Sequence, residues 1–346
     1  IYMDRRRNYK IDLLKTLAMF MVIVEHMLIY TNLKENSVNN SNIYWALRCM
    51  CKMNVNLFII CSAVLLRNRE FKFCRFIKII LYTVIISILS ILCYLVIGDE
   101  SIGKKDIIKS FFPVLSNSFW FITCYLGLYL LYPIINKFID GFKGVKNQII
   151  IALLIYFVLF MYPNCFLVNS IVNNGGRSIV WMIVLYICTN AIGNLKIKTI
   201  YLQIVFLGSF IILLFSTLAL NEYGISNPFL SNESPLVLCM SISFFMILSK
   251  KHIDVCNNSI QRIFTILSSA TLTVYLVHEN ICRDIIWNYV NDLSNYYSII
   301  YFLIPIIIYF FGIIVSLLLN IITNPIMKTK SLHKLSDFID SIYDEL

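Results

Sequence analysis

Ten runs of about twenty mainly apolar residues follow one another along this chain, at about 12–31, 43–66, 76–97, 119–136, 149–169, 178–193, 199–219, 234–249, 263–283 and 297–322. A helix of that length crosses the hydrocarbon of a bilayer, where every backbone N–H and C=O has to be paired internally. The pattern therefore predicts an all-α, polytopic membrane protein with about ten transmembrane helices. Composition points the same way. Of 346 residues, 59% are hydrophobic and 14% charged, and the mean hydropathy of +0.77 lies far from that of soluble domains.

Lys and Arg set the orientation. With the N-terminus in the cytoplasm, the inner segments hold 19 cations, from Arg5, Arg6, Arg7 and Lys10 to Lys328, Lys330 and Lys334. The outer loops hold five: Lys34, Lys104, Lys105, Lys109 and Arg177. By the positive-inside rule both termini are expected to be cytoplasmic, in a multi-pass protein of the cell membrane. The net charge of +10 then reflects topology and gives no case for a nucleic-acid partner. The 11 cysteines are scattered without a CxxC or any metal-ligand spacing, as small packing residues would be, so no metal is expected. "IYMDRRRNYK" has the charges but not the cleavage site of a signal peptide, so the first run is expected to be retained. No linker divides the runs. The reading is one membrane domain over 1–325 and a cytoplasmic amphipathic tail over 326–346, with a short interfacial helix in the loop 98–118.

Ionisable residues inside the runs single out a site, because each costs on the order of 3 kcal/mol in hydrocarbon. The stretch "LAMFMVIVEHMLIY" (17–30) carries Glu25 and His26. By helical rise, His26, Arg48, Lys52, His278 and Glu279 all fall about 7 to 14 Å below the outer surface, on three different runs. They are expected to face a common polar cavity. Arg48, Lys52 and Asn56, four apart, form one polar stripe that calls for an opposing anion, and Glu279 and Arg283 have the spacing of a helical ion pair. Glu25 and His26 diverge by about 100°, so any carboxylate partner of His26 belongs to another run. Lys15 and His26 lie almost three turns apart on one face, about 16 Å along the helix. Plainer readings stand beside these. Arg48, Lys15, Lys78 and Arg283 near helix ends suit snorkelling; the two histidines suit interhelical packing; and Trp45, Trp120 and Trp287 suit an interfacial belt.

Several motifs carry a resemblance. "IDLLKTLAMFMVIVEHMLIY", "KMNVNLFIICSAVLL", "CRFIKII", "SFWFITCYLGLYLLYPIIN" and "TLTVYLVHENICRDIIW" occur in the order and style of the acyltransferase-3 family of membrane acyltransferases. The chain is most similar in motif style to its Gram-positive capsule and exopolysaccharide O-acetyltransferases. Lys15 and Lys78 stand where the family usually has Arg, and Ala63 where it usually has Gly. Lysine keeps the charge but lacks the planar fork that grips phosphate or carboxylate in two places.

The resemblance implies transfer of an acetyl or other acyl group from cytoplasmic acetyl-CoA, with no bound cofactor, to a hydroxyl of a cell-surface or lipid-linked glycan. His26 would then be the general base or acyl carrier, with Glu25, His278 and Glu279 completing the catalytic group. Arg48, Lys52, Asn56, Trp120 and Arg283 would contact substrate. A basic entrance of Lys15, Arg67, Arg69, Arg75 and Lys78 would receive the donor phosphates. Intramembrane charges also mark transport pathways, so a transporter or flippase of a small polar or glycan substrate is the alternative.

Overall fold

The computed structural model describes residues 8–33, 41–97, 103–163, 174–193, 195–250, 258–294 and 299–345. Arg5, Arg6, Arg7, Lys34 and Lys251 lie outside the described residues, as do 98–102 of the expected interfacial loop and parts of the fifth and tenth runs. Among the described residues the protein is all helical: α1 (Tyr9–Tyr30), α2 (Ser41–Cys51), α3 (Asn54–Leu66), α4 (Phe73–Ile97), α5 (Lys104–Phe111), α6 (Trp120–Gly141), α7 (Val145–Tyr156), α8 (Ile179–Ile192), α9 (Thr199–Glu222), α10 (Pro235–Lys250), α11 (Asn258–Ser269), α12 (Thr271–His278), α13 (Arg283–Ser294), α14 (Ile300–Met327) and α15 (Lys330–Glu345).

Six helical stretches are long and apolar enough to cross a membrane, or seven when the bent pair α11 and α12 counts as one. Shorter apolar helices occupy Val145–Met161, Ile179–Ile192 and Pro235–Lys250, where three further runs were expected. The span made of α2 and α3 is the centre of the bundle, with 72% of its apolar window buried against 22% for α9. Around it pack α1, α8 and α10. The apolar edges of α4, α9 and α14, including Val96, Phe215, Phe302 and Ile321, are exposed, as lipid-facing surfaces are.

Two expected continuous helices are broken. The second gives way at Lys52 and Met53, and the ninth bends by 44° between Ser269 and Thr271 and ends at His278, short of the expected 283. Neither break has a Pro or Gly, so carbonyls freed at the bend need other donors. Tyr309 of α14 donates to Leu267 O at 3.1 Å, and Thr271 Oγ1 donates to Ser268 O at 3.0 Å. Ser268 Oγ reaches Asp12 Oδ1 of α1 at 2.6 Å, fixing the bend to the first helix. Gly312 lets α14 lie directly against α12; a Cβ there would stand 2.8 Å from Val274 Cα.

The loop before α6 carries α5, whose exposed Ile108, Phe111 and Phe112 form one edge while Asp106, Lys109 and Ser110 form another. At the other end of the chain α15 lies on α4. Asp340 accepts from the Phe73 N–H at 2.7 Å, and Tyr343 stacks on Phe71 at 3.8 Å.

Candidate active site

A cavity of about 380 Å³ runs beside α1, lined at one end by Lys15 with Ser62 and Tyr125, and at the other by His26 with Tyr30, Lys52, Trp120, Arg177 and Arg283. The spacing of Lys15 and His26 on one helical face makes both of them lining residues.

His26 meets its partners where α12 ends. Its Nδ1 is 3.1 Å from His278 Nε2 and 3.1 Å from Glu279 Oε2. The expected carboxylate partner from a distant helix is thus Glu279. His278 is fully buried, and its Nδ1 lies 2.5 Å from Val274 O. A carbonyl can only accept, so His278 Nδ1 carries the proton, and the Nε2 of a neutral ring is left as acceptor. His26 Nδ1–H then donates to it. This chain of assignments leaves the lone pair of His26 on Nε2, the ring nitrogen not engaged by His278 or Glu279.

Glu279 caps α12 instead of lying within a helix. The turn behind it is closed by Asn280, which donates to Leu276 O at 2.9 Å and accepts from Cys282 N at 2.7 Å. Arg283 consequently begins α13 and still pairs with Glu279 Oε1 at 3.0 Å, across the turn and not along a continuous helix. Tyr30 donates to the same oxygen at 3.3 Å and accepts from Arg283 at 3.2 Å. One carboxylate oxygen is held by Arg283 and Tyr30, which leaves the other aimed at His26.

Glu25 turns away from His26, as the helical angle requires. It pairs with Lys52 at 3.0 Å and accepts from Asn54 Nδ2 at 2.5 Å. Both of its oxygens are engaged, one by the Lys52 ammonium and the other by the Asn54 amide. The break after Lys52 divides the expected stripe. Arg48 stays with its own helix, bonded to the Tyr44 hydroxyl at 3.2 Å and lying 5.4 Å from the Trp45 ring centre, away from the cavity. Asn56 binds Asn232 O at 2.8 Å and Trp181 Nε1 at 3.0 Å inside the bundle. Neither lines the cavity, so the structure does not bring them to Lys52 and His26 there.

Of the expected donor-binding cations, Lys15 lines the cavity, whereas Arg67, Arg69, Arg75 and Lys78 do not. Arg67 is paired with Asp140, Lys78 donates to Asn320 at 2.9 Å, and the Arg69 carbonyl accepts from Tyr132 at 3.3 Å. Trp120 lines the cavity beneath Arg177, whose guanidinium is 5.9 Å from its ring centre. Trp45 and Trp287 are buried within the bundle and do not form a belt.

The sequence reading passed over Tyr30, Asn54, Tyr125, Arg177, Asn232 and Tyr275, all of which line the cavity. Tyr30 was within reach, one helical turn from His26. Arg177 and Asn232 come together across Gly176, whose φ of +74° and lack of a side chain let the chain pass 231–234; a Cβ there would lie 2.5 Å from Asn232 Cβ.

No curated protein and no solved structure matches the chain. The acyltransferase domain of the acyltransferase-3 family matches residues 8–324, which hold the whole histidine and carboxylate cluster. This membrane protein therefore belongs to the acyltransferase-3 family and is an acyltransferase.

Proposed function

We propose that the protein is an O-acetyltransferase that moves an acetyl group from acetyl-CoA to a hydroxyl of a surface or lipid-linked glycan in the cell membrane. The observation that carries this reading is the deduced tautomer of His26, which places a lone pair on a cavity-lining histidine whose other nitrogen hydrogen-bonds His278 and lies 3.1 Å from the Glu279 carboxylate.

That geometry supports the following reaction. His26 Nε2 removes the acceptor hydroxyl proton as the oxygen attacks the thioester carbonyl carbon. The imidazolium formed is stabilised by Glu279, and the tetrahedral oxyanion by the Lys52 ammonium. Collapse breaks the carbon–sulfur bond, and the proton on Nε2 passes to the departing thiolate. The products are the glycan ester and CoA thiol. Lys15 at the far end of the cavity suits the anionic donor, which is approached along the cavity while the acyl group lies near His26.

Radiolabelled acetyl-CoA incubated with purified protein and a glycan-bearing membrane fraction tests this. Label is expected in glycan with the wild type and not with His26→Ala. Uptake of substrate into vesicles without any transfer or hydrolysis would instead favour a transporter.

A further inference from the structure

A second cavity of about 300 Å³ opens on the other flank of Glu279 and shares Ser118, Glu279 and Arg283 with the first. We infer that it is the acceptor subsite and that its chemistry selects an uncharged, polyhydroxylated ligand. This rests on the acyl-transfer reading above.

The two cavities differ in charge. The first is lined by Lys15, Lys52, Arg177 and Arg283 against Glu25 and Glu279, an excess of cations that suits a phosphate-rich donor. In the second, each cation is matched. Lys109 lies 3.6 Å from Asp106, and Arg283 pairs with Glu279 at 3.0 Å and Asp284 at 3.2 Å. Three carboxylates against two cations leave no positive charge over for an anion. The remaining polar wall consists of Ser87, Ser90, Ser110, Ser118 and Asn280, short hydroxyl and amide groups that exchange hydrogen bonds with neutral hydroxyls. Phe119 and Ile91 supply apolar surface for the carbon face of a ring.

Helix α5 supplies one wall of this cavity. Asp106, Lys109 and Ser110, at helical spacing, face this cavity, while Ile108, Phe111 and Phe112 are exposed on the opposite edge. The amphipathic helix thus turns its polar edge to the chamber beside Glu279 and its apolar edge outward. A ring held there presents a hydroxyl past the shared Ser118 and Arg283 into the first cavity, which His26 lines.

The test uses full-length purified protein with two readouts, hydrolysis of radiolabelled acetyl-CoA without acceptor and transfer to a glycan-bearing membrane fraction. Ser90→Phe, which fills the chamber, is expected to reduce transfer at least tenfold while hydrolysis stays within twofold. Asp106→Asn combined with Asp284→Asn is expected to raise the half-saturating glycan concentration several-fold and leave that of acetyl-CoA unchanged. The double variant decides if Ser90→Phe does not fold, since the Asp284 side chain is 72% exposed. Unchanged transfer, or transfer and hydrolysis falling together, overturns the subsite. A neutral disaccharide should compete with glycan more strongly than its uronic-acid counterpart; equal or weaker competition overturns the charge assignment. Absence of both hydrolysis and transfer in the wild type would instead defeat the acyl-transfer reading itself.

Discussion

His26 sits in a hydrogen-bond sequence that ends on a backbone carbonyl, so the proton on Nδ1 is fixed by geometry 252 residues away in the chain. Removing the base is expected to lower the acetyl-transfer rate by about 10²- to 10⁴-fold at unchanged protein level; transfer by His26→Ala at the wild-type rate would refute its role. Orientation can be tested apart from basicity. His278→Phe, which cannot accept from Nδ1–H, should cost about 10- to 100-fold in kcat with little change in the KM for acetyl-CoA. Lys52→Gln should lower kcat by about 10²-fold, as loss of an oxyanion donor does; an unchanged rate would return Lys52 to a structural pairing with Glu25. The ionisable cluster was legible because a charge in an apolar run is conspicuous. Which charges meet was less so: Arg48 has the spacing of the site, yet Tyr44 and Trp45 sit within its own turn and hold it.

At the scale of the helices, the site depends on two interruptions. The break after Lys52 starts a new helix at Asn54, whose side chain reaches Glu25, and the end of α12 lets Glu279 leave helical geometry and face α1. Apolar periodicity reveals that helices exist and roughly where they lie, and among the described residues each run contains helix. It does not reveal a bend at Ser269 and Ala270, where the residues are ordinary and the replacement donors come from Tyr309 and Thr271. Close packing holds the bent segment. Gly312→Ala should destabilise the protein by about 1–3 kcal/mol, because the added methyl meets Val274 through both its backbone Cα and its stiff β-branched side chain. Thermal unfolding in detergent would read the loss, and a midpoint equal to the wild type would show that α14 can withdraw freely.

The molecule as a whole joins a basic connection, a bundle core and a terminal helix. Phe71 stacks on Tyr343, Asp340 accepts from Phe73 N–H, and the hydroxyls of Tyr129 and Tyr132 bind the Lys72 and Arg69 carbonyls. The connection that holds Arg67, Arg69 and Lys72 is therefore braced from two sides. Asp340→Asn is expected to cost about 1.5–3 kcal/mol, as loss of a charge-assisted hydrogen bond does, measurable as a lower unfolding midpoint; no shift would mean that α15 is only loosely attached. The amphipathic tail was legible from its alternating charges and apolar positions, but its grip on Phe71 was not, since that contact spans most of the chain.

Glu25 and Lys52 are only 27 residues apart, whereas His26 waits for a segment made long afterwards. During synthesis, the first two helical stretches can enter lipid with their opposite charges already cancelled, each of which would otherwise cost on the order of 3 kcal/mol at mid-bilayer. Charge cancellation and cluster assembly are thereby separated in time: neighbouring residues solve the first problem from the outset, and the histidine and carboxylate cluster comes together only when the late helices arrive.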